Sequence, residues 1–229
     1  MKRALRALAL VGAIALLAVQ AAGANVLPPQ AKPHGADLGE WAERFFVFDA
    51  SIPVVDDSHP AIDVGDVDCG IGQNGKAWFL ETSPDLNADI ERRCSIPTGT
   101  MLYVPVFQWF CAPELDGVPI PECLDQADDA FAAIELSLTV DGVTIGNDRL
   151  QDYRATTGTF ELSLVEDSYW EWFLGIELDD SISFAADAIG ALVSPLPVGE
   201  HEIVISFTSD EFGFDGSVTY VLDVRPGKK

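Results

Sequence analysis

Apolar and polar positions change period along this chain, and the change divides it. Leu38, Trp41, Ala42 and Phe45 recur at helical spacing behind Asp37, a good N-cap residue, and predict a short amphipathic helix. Past Pro53 comes an acidic loop over residues 56–68, containing Pro60 and Gly65. Beyond it the period becomes two. Residues 76–81, 100–106, 159–165, 202–208 and 217–224 read as strands. The clearest signal is the alternation of residues 134–140, then Asp141-Gly142, then residues 143–145, which is a hairpin around a favoured two-residue turn. Many short strands with few helices predict an all-β fold. The expected form is a two-sheet antiparallel β-sandwich, jelly-roll-like or Ig-like, with a short N-terminal helix.

The ends read differently from the interior. Lys2, Arg3 and Arg6 precede an apolar run from Ala7 to Val19, and Ala22-Gly23-Ala24 offers small residues for cleavage. That is a signal-peptide layout, too short for a span of about 20 residues. The reading assigns residues 1–24 to a signal peptide, 25–36 to an extended leader, 37–225 to one domain and 226–229 to a tail. The expected location is secreted or periplasmic, with no membrane insertion after cleavage. The full chain carries 13 Lys and Arg against 37 Asp and Glu, a formal charge of -24 in 229 residues. So few cations exclude phosphate-backbone recognition, hence nucleic acid, and attachment to an anionic bilayer surface. With 48% hydrophobic residues the chain is too apolar for disorder. The acidity reads first as solubility in salty water and second as cation binding.

Four cysteines fit an oxidising compartment and allow three pairings. Cys69 and Cys94 bracket Trp78-Phe79-Leu80, and Cys111 and Cys123 straddle a Pro-rich loop, so we expect Cys69–Cys94 and Cys111–Cys123. No Cys-x-x-Cys or Cys/His pair stands at zinc spacing.

Several ordered motifs add a resemblance. They are Cys69…Gln73-x-Gly75-x-x-Trp78-Phe79-Leu80, Arg93-Cys94-x-Ile96-Pro97-x-Gly99, Tyr103-x-Pro105-Val106, Tyr153-Arg154, and Pro195-Leu-Pro197-x-Gly199-Glu200-His201. Together with Val218-Thr219-Tyr220-x-Leu222-x-Val224, the set resembles a family of uncharacterised secreted bacterial proteins with no established activity. The resemblance implies a secreted β-sandwich-type domain and supports the Cys69–Cys94 pairing. Thr100-Met-Leu-Tyr103 and Asp187-Ala-Ile-Gly-Ala191 depart from that pattern, which carries more aromatics at both places.

Candidate chemistry is sparse. No Gly-x-Ser-x-Gly elbow is present. Among many carboxylates, Glu81 and Glu171 are candidates for acid–base work, with His201, which opens a strand, as a candidate base. Asp56-Asp57 and Asp63-x-x-Asp66-x-Asp68 place five carboxylates within 13 residues. Asp63, Asp66 and Asp68 are therefore candidate calcium ligands, although no cofactor is required by any motif and the spacing is not that of an EF-hand. The run Tyr169-Trp170-Glu171-Trp172-Phe173 would, as a strand, put Trp170 and Trp172 on one face and Tyr169 and Phe173 on the other. One such face suits a sugar ring. Arg154, one of few cations, suits an anionic group.

The functional expectation is an extracytoplasmic binding or structural module, with a glycan or cell-surface ligand the first candidate. The alternatives are a hydrolase or lyase acting on an extracellular polymer, and a component of an envelope assembly. An enzyme should gather two or more of Glu81, Glu171, Arg154 and His201 in one cleft.

Overall fold

Two β-sheets carry the fold of the computed structural model, which describes residues 25–75 and 77–227. The segment read as a signal peptide and the last two residues of the tail lie outside the described residues. The first sheet orders six strands: β1 (Gly65–Asp66), β3 (Asp89–Pro97), β11 (Phe214–Arg225), β10 (Gly199–Ser209), β5 (Glu135–Val140) and β6 (Val143–Gly146). The second orders β2 (Ala77–Phe79), β4 (Met101–Cys111), β9 (Ser181–Val193) and β7 (Arg154–Thr156), with β8 (Phe160–Ser163) also paired to β9.

The β-rich, two-sheet expectation holds, but the sheets are mixed rather than antiparallel. β1 and β11 both run parallel to β3, and β2 runs parallel to β4. Parallel neighbours need long crossovers. Between β3 and β11 nearly all the rest of the fold serves as that crossover. The Asp141-Gly142 hairpin forms between β5 and β6 with both residues at positive φ.

Helix α1 (Leu38–Ala50) starts as the sequence indicates. The Asp37 side chain accepts from the Glu40 amide at 3.2 Å while Glu40 accepts from the Asp37 amide at 2.9 Å, a reciprocal capping box. Its apolar stripe lies on β9, β4, β7 and β8, so the second sheet is covered on both faces. That burial explains why β9 escapes sequence reading. Ile182 and Phe184 to Val193 are buried with no alternation, as in any strand packed on both sides. The expected extended leader is docked at its start, where Leu27 donates to the Leu192 carbonyl and Ser194 donates to the Asn25 carbonyl, each at 2.7 Å, but it is not extended throughout, since Pro33–Gly35 forms a 3-10 turn.

Short helices α2 (Pro113–Asp116), α3 (Ile120–Leu124) and α4 (Ala127–Ala132) replace the predicted Pro-rich loop, and α5 (Asn147–Leu150) follows β6. Both expected disulfides, Cys69–Cys94 and Cys111–Cys123, are formed. Among the described residues no helix is long and apolar enough to cross a membrane.

Alternation along β3 aims Arg92, Cys94 and Ile96 inward and Glu91, Arg93 and Ser95 outward. Arg92 is fully buried. Its Nε donates to the Asp63 carbonyl at 2.8 Å, Nη2 to the Ala61 carbonyl at 2.6 Å, and Nη1 to the Glu81 carbonyl, the Thr82 carbonyl and the Tyr220 hydroxyl at 2.8–3.0 Å. One side chain thus joins β3, β11 and two loops. Arg93, which the motif reading favoured, is exposed and pairs with Glu91 at 2.7 Å. Arg92→Met strands the carbonyls of Ala61, Asp63 and Thr82 and leaves that of Glu81 to Tyr220 alone, and should cost about 3 kcal/mol or more in urea unfolding. Arg93→Ala should cost under about 1 kcal/mol. Equal losses would contradict this division of labour.

Candidate functional site

Asp49 sits on the buried stripe of α1, one turn beyond Phe45 and two beyond Ala42, where an apolar residue is expected. It is 3% exposed, as is Glu81, which follows β2. Both line one internal cavity of about 170 Å³ together with Gln108, Phe45, Phe46, Phe110 and Trp170. A register shift between Pro105 and Phe107 inserts Val106 into β4. This bulge changes the strand's parity and delivers Gln108 and Phe110 to the side on which Tyr103 meets Phe45. The exposed ring of Phe173 and the half-buried Thr82, Pro84 and Leu86 form the solvent-side lining.

Trp170 reaches the cavity because the aromatic run is a helix, not a strand. Ser168 accepts from the Glu171 amide, Glu171 accepts from the Ser168 amide, each at 3.3 Å, and Gly175 ends the segment in the left-handed region. The caps at both ends of α6 (Tyr169–Leu174) outweigh the strand preference of its aromatics. Trp170 turns inward at 4% exposure, with its ring 4.8 Å from Phe110 and 5.4 Å from Phe184. Tyr169, Trp172 and Phe173 instead stack on the outer side, Trp172 and Phe173 exposed. The two strand faces expected of this run are therefore not formed: Trp170 is separated from Trp172, and Tyr169, Trp172 and Phe173 group together.

Glu81 is held by its backbone and free at its carboxyl. Its amide donates to the Tyr220 hydroxyl at 2.9 Å, and its carbonyl accepts from Tyr220 and Arg92. Glu81 Oε1, Asp49 Oδ1, His59 Nε2, Gln108 Nε2 and Trp170 Nε1 are buried without a hydrogen-bond partner. His59 is buried under the Tyr169 ring, stacked at 4.8 Å, and its Nδ1 accepts from the Ala61 amide at 3.1 Å. In the neutral ring the proton is then on Nε2, which stands 3.9 Å from Asp49 Oδ1. Burial lifts the Asp49 carboxyl to about 8, against a smaller pull from Trp170. Burial, then the nearby Asp49, raise Glu81 well above the carboxylate range, with Arg92 opposing. Burial lowers His59 to about 4, opposed by Asp49 and Asp63 and assisted by Arg92. Burial thus disfavours the charged form of all three groups.

The other sequence candidates lie apart from this cavity. Glu171 caps α6 and accepts from the Leu178 amide at 3.1 Å. His201 has both ring nitrogens occupied, by Asp141 at 2.7 Å and the Pro197 carbonyl at 3.0 Å, so it offers no free lone pair as a base. Arg154 makes a two-pronged pair with the buried Asp187 at 2.9 and 2.6 Å, touches Asp128 at 2.7 Å and lies over the Phe131 ring. It is a structural cation rather than an anion receptor. Glu81, Glu171, Arg154 and His201 do not share a cleft. Asp63 accepts from Ser58 and the His59 amide, Asp68 accepts from the Gly70 amide, and Asp66 is an exposed residue of β1. Among the described residues no three His, Cys, Asp or Glu side chains converge as a metal cage.

No family model matches the sequence. No curated protein matches it either. Among solved structures it is similar to PbICP-C in complex with falcipain-2, at 12% identity over 66% of this chain and 100% of that one, with a TM-score of 0.29. It is also similar to the cysteine protease inhibitor EhICP2 from Entamoeba histolytica, at 13% identity over 61% and 87%, with a TM-score of 0.21. At these scores neither likeness carries an argument about fold or activity.

Asp49 generates a signed pH prediction. Its folded pKa of about 8 lies above the ordinary aspartate value of 3.8, so the folded state holds an extra proton across that interval. His59 runs the other way, binding fewer protons when folded between about 4 and 6.5, and offsets this at low pH. Between pH 6.5 and 8 the His59 offset is gone, and stability should fall as pH rises, by up to about 1.4 kcal/mol per unit from Asp49. Asp49→Asn should flatten that fall in urea unfolding measured across the window. A fall unchanged in the variant would show that Asp49 is not its source.

Proposed function

We propose that this is an extracytoplasmic binding protein that takes one small, ring-sized molecule into the cavity between α1, α6 and β4. The observation that carries this reading is a fixed but unused polar end: the Glu81 backbone is held on both sides while its carboxyl oxygen Oε1 has no partner. Buried polar atoms are normally satisfied, and leaving one bare costs about 1–3 kcal/mol. Aromatic walls and a few convergent polar groups are the usual makings of a small-molecule site. A cavity of about 170 Å³ is close in size to engineered cavities of about 150 Å³ that take up benzene. The scatter of the other titratable candidates favours binding over catalysis. Two disulfides suit an oxidising compartment, and export completes the reading.

A panel of monocyclic ligands tests it by thermal melting. A ligand present at a hundredfold excess over its Kd should raise Tm by roughly 5–10 °C. Val106→Phe, which fills the cavity, should abolish the shift, while Trp172→Ala on the exposed side should leave it intact. The opposite pattern would move binding to the surface aromatics, and no shift with any member would remove the cavity from consideration.

A further inference from the structure

We propose that the ligand is an organic ammonium ion on a compact apolar body, and that its entry displaces one proton from the Asp49–Glu81 pair. This rests on the cavity reading above and names its ligand class. Glu81 Oε1 and Asp49 Oδ1 have no hydrogen-bond partner within the protein, so each offers an acceptor to a guest. The rings of Phe45, Phe46 and Trp170 line the same space, and aromatic rings attract cations over their faces. The chain as a whole carries a formal charge of -24, which attracts cations to its surroundings.

Asp49 is the group that gives up the proton, because its surroundings are already arranged for a carboxylate. The His59 Nε2–H stands 3.9 Å from Asp49 Oδ1, and the Trp170 indole N–H faces the same carboxyl. Neither donor has another partner. Once Asp49 is ionised, both can close onto it, and Glu81 remains protonated and accepts from the ammonium through its carbonyl oxygen. The charged and titratable groups facing this exchange are His59, neutral; Tyr169, whose hydroxyl burial keeps protonated; Glu81; and the fixed cation Arg92. The step balances: the ammonium enters with one positive charge, the Asp49 proton leaves to the buffer with one, and no covalent bond other than that O–H changes.

Isothermal titration of the wild-type protein with benzylammonium and with its neutral isostere benzyl alcohol, each at pH 7 in two buffers of different ionisation heat, tests the proposal. Benzylammonium should bind at least tenfold more tightly and release close to one proton. Its affinity should rise about tenfold per pH unit from pH 6 towards 8. Asp49→Asn, checked for folding by its melt, should lose the proton release and the cation preference. Equal binding of benzyl alcohol with no proton released would overturn the ammonium assignment while leaving the cavity as a site. Binding of neither probe, with a monocyclic ligand from the panel still shifting Tm, would also overturn the assignment alone. Failure of the whole panel would remove the cavity reading as well.

Discussion

A guanidinium buried without a carboxylate partner is the constraint on which the rest of this structure depends. Arg92 cannot shed its proton, and leaving its charge unsolvated in the interior would cost far more than the fold has to spare. The carbonyls of Ala61, Asp63, Glu81 and Thr82 therefore have to converge on it, and the Tyr220 hydroxyl with them. Those requirements place the 59–63 loop over β3 and bring the end of β2 beside β11. They act alongside the backbone ladder that sets β3 and β11, far apart in sequence, parallel and adjacent, with Tyr220 opposite Arg92. The neighbouring Cys69–Cys94 disulfide ties the same strand to the same acidic loop.

What Arg92 organises, the cavity uses. Its bonds hold the Glu81 and Ala61 carbonyls, the Ala61 amide fixes the His59 tautomer, and His59 faces Asp49 across 3.9 Å. A cation is thus bound to backbone oxygens on one side while two carboxyls on the other side remain unpaired. Burial disfavours the charged form of both carboxyls, and on our proposal the aromatic site exchanges a proton for another cation. Positioning through the backbone leaves the functional oxygens free, which a direct Arg–Glu pair would not do.

Some of this was legible in the residues themselves. The Asp37 cap, the Asp141-Gly142 hairpin and both disulfides follow from short-range rules and formed where those rules put them. The strand reading of the aromatic run failed because ring content was weighed over the Ser168-x-x-Glu171 cap and the closing Gly175, which together signal one and a half helical turns. β9 was hidden because a strand covered on both faces has no period. Arg92 was overlooked beside Arg93, although the parity of Cys94 on the same strand already points Arg92 inward. Asp49 carried a signal too, an acid at a stripe position of α1, but with 37 acidic residues it looked ordinary. Long-range pairing of β3 with β11, and the meeting of Asp49 with Glu81, have no local signature at all.

The account stands or falls on the state of the two cavity carboxyls in the free protein. Side-chain carboxyl carbon shifts, recorded by NMR from pH 4 to 9 and assigned through Asp49→Asn and Glu81→Gln, read that state directly. The account predicts both groups protonated at pH 6, with Asp49 titrating near 8. An Asp49 carboxyl already ionised at pH 6 would contradict it, since the site would then hold a fixed charge and have no proton to exchange.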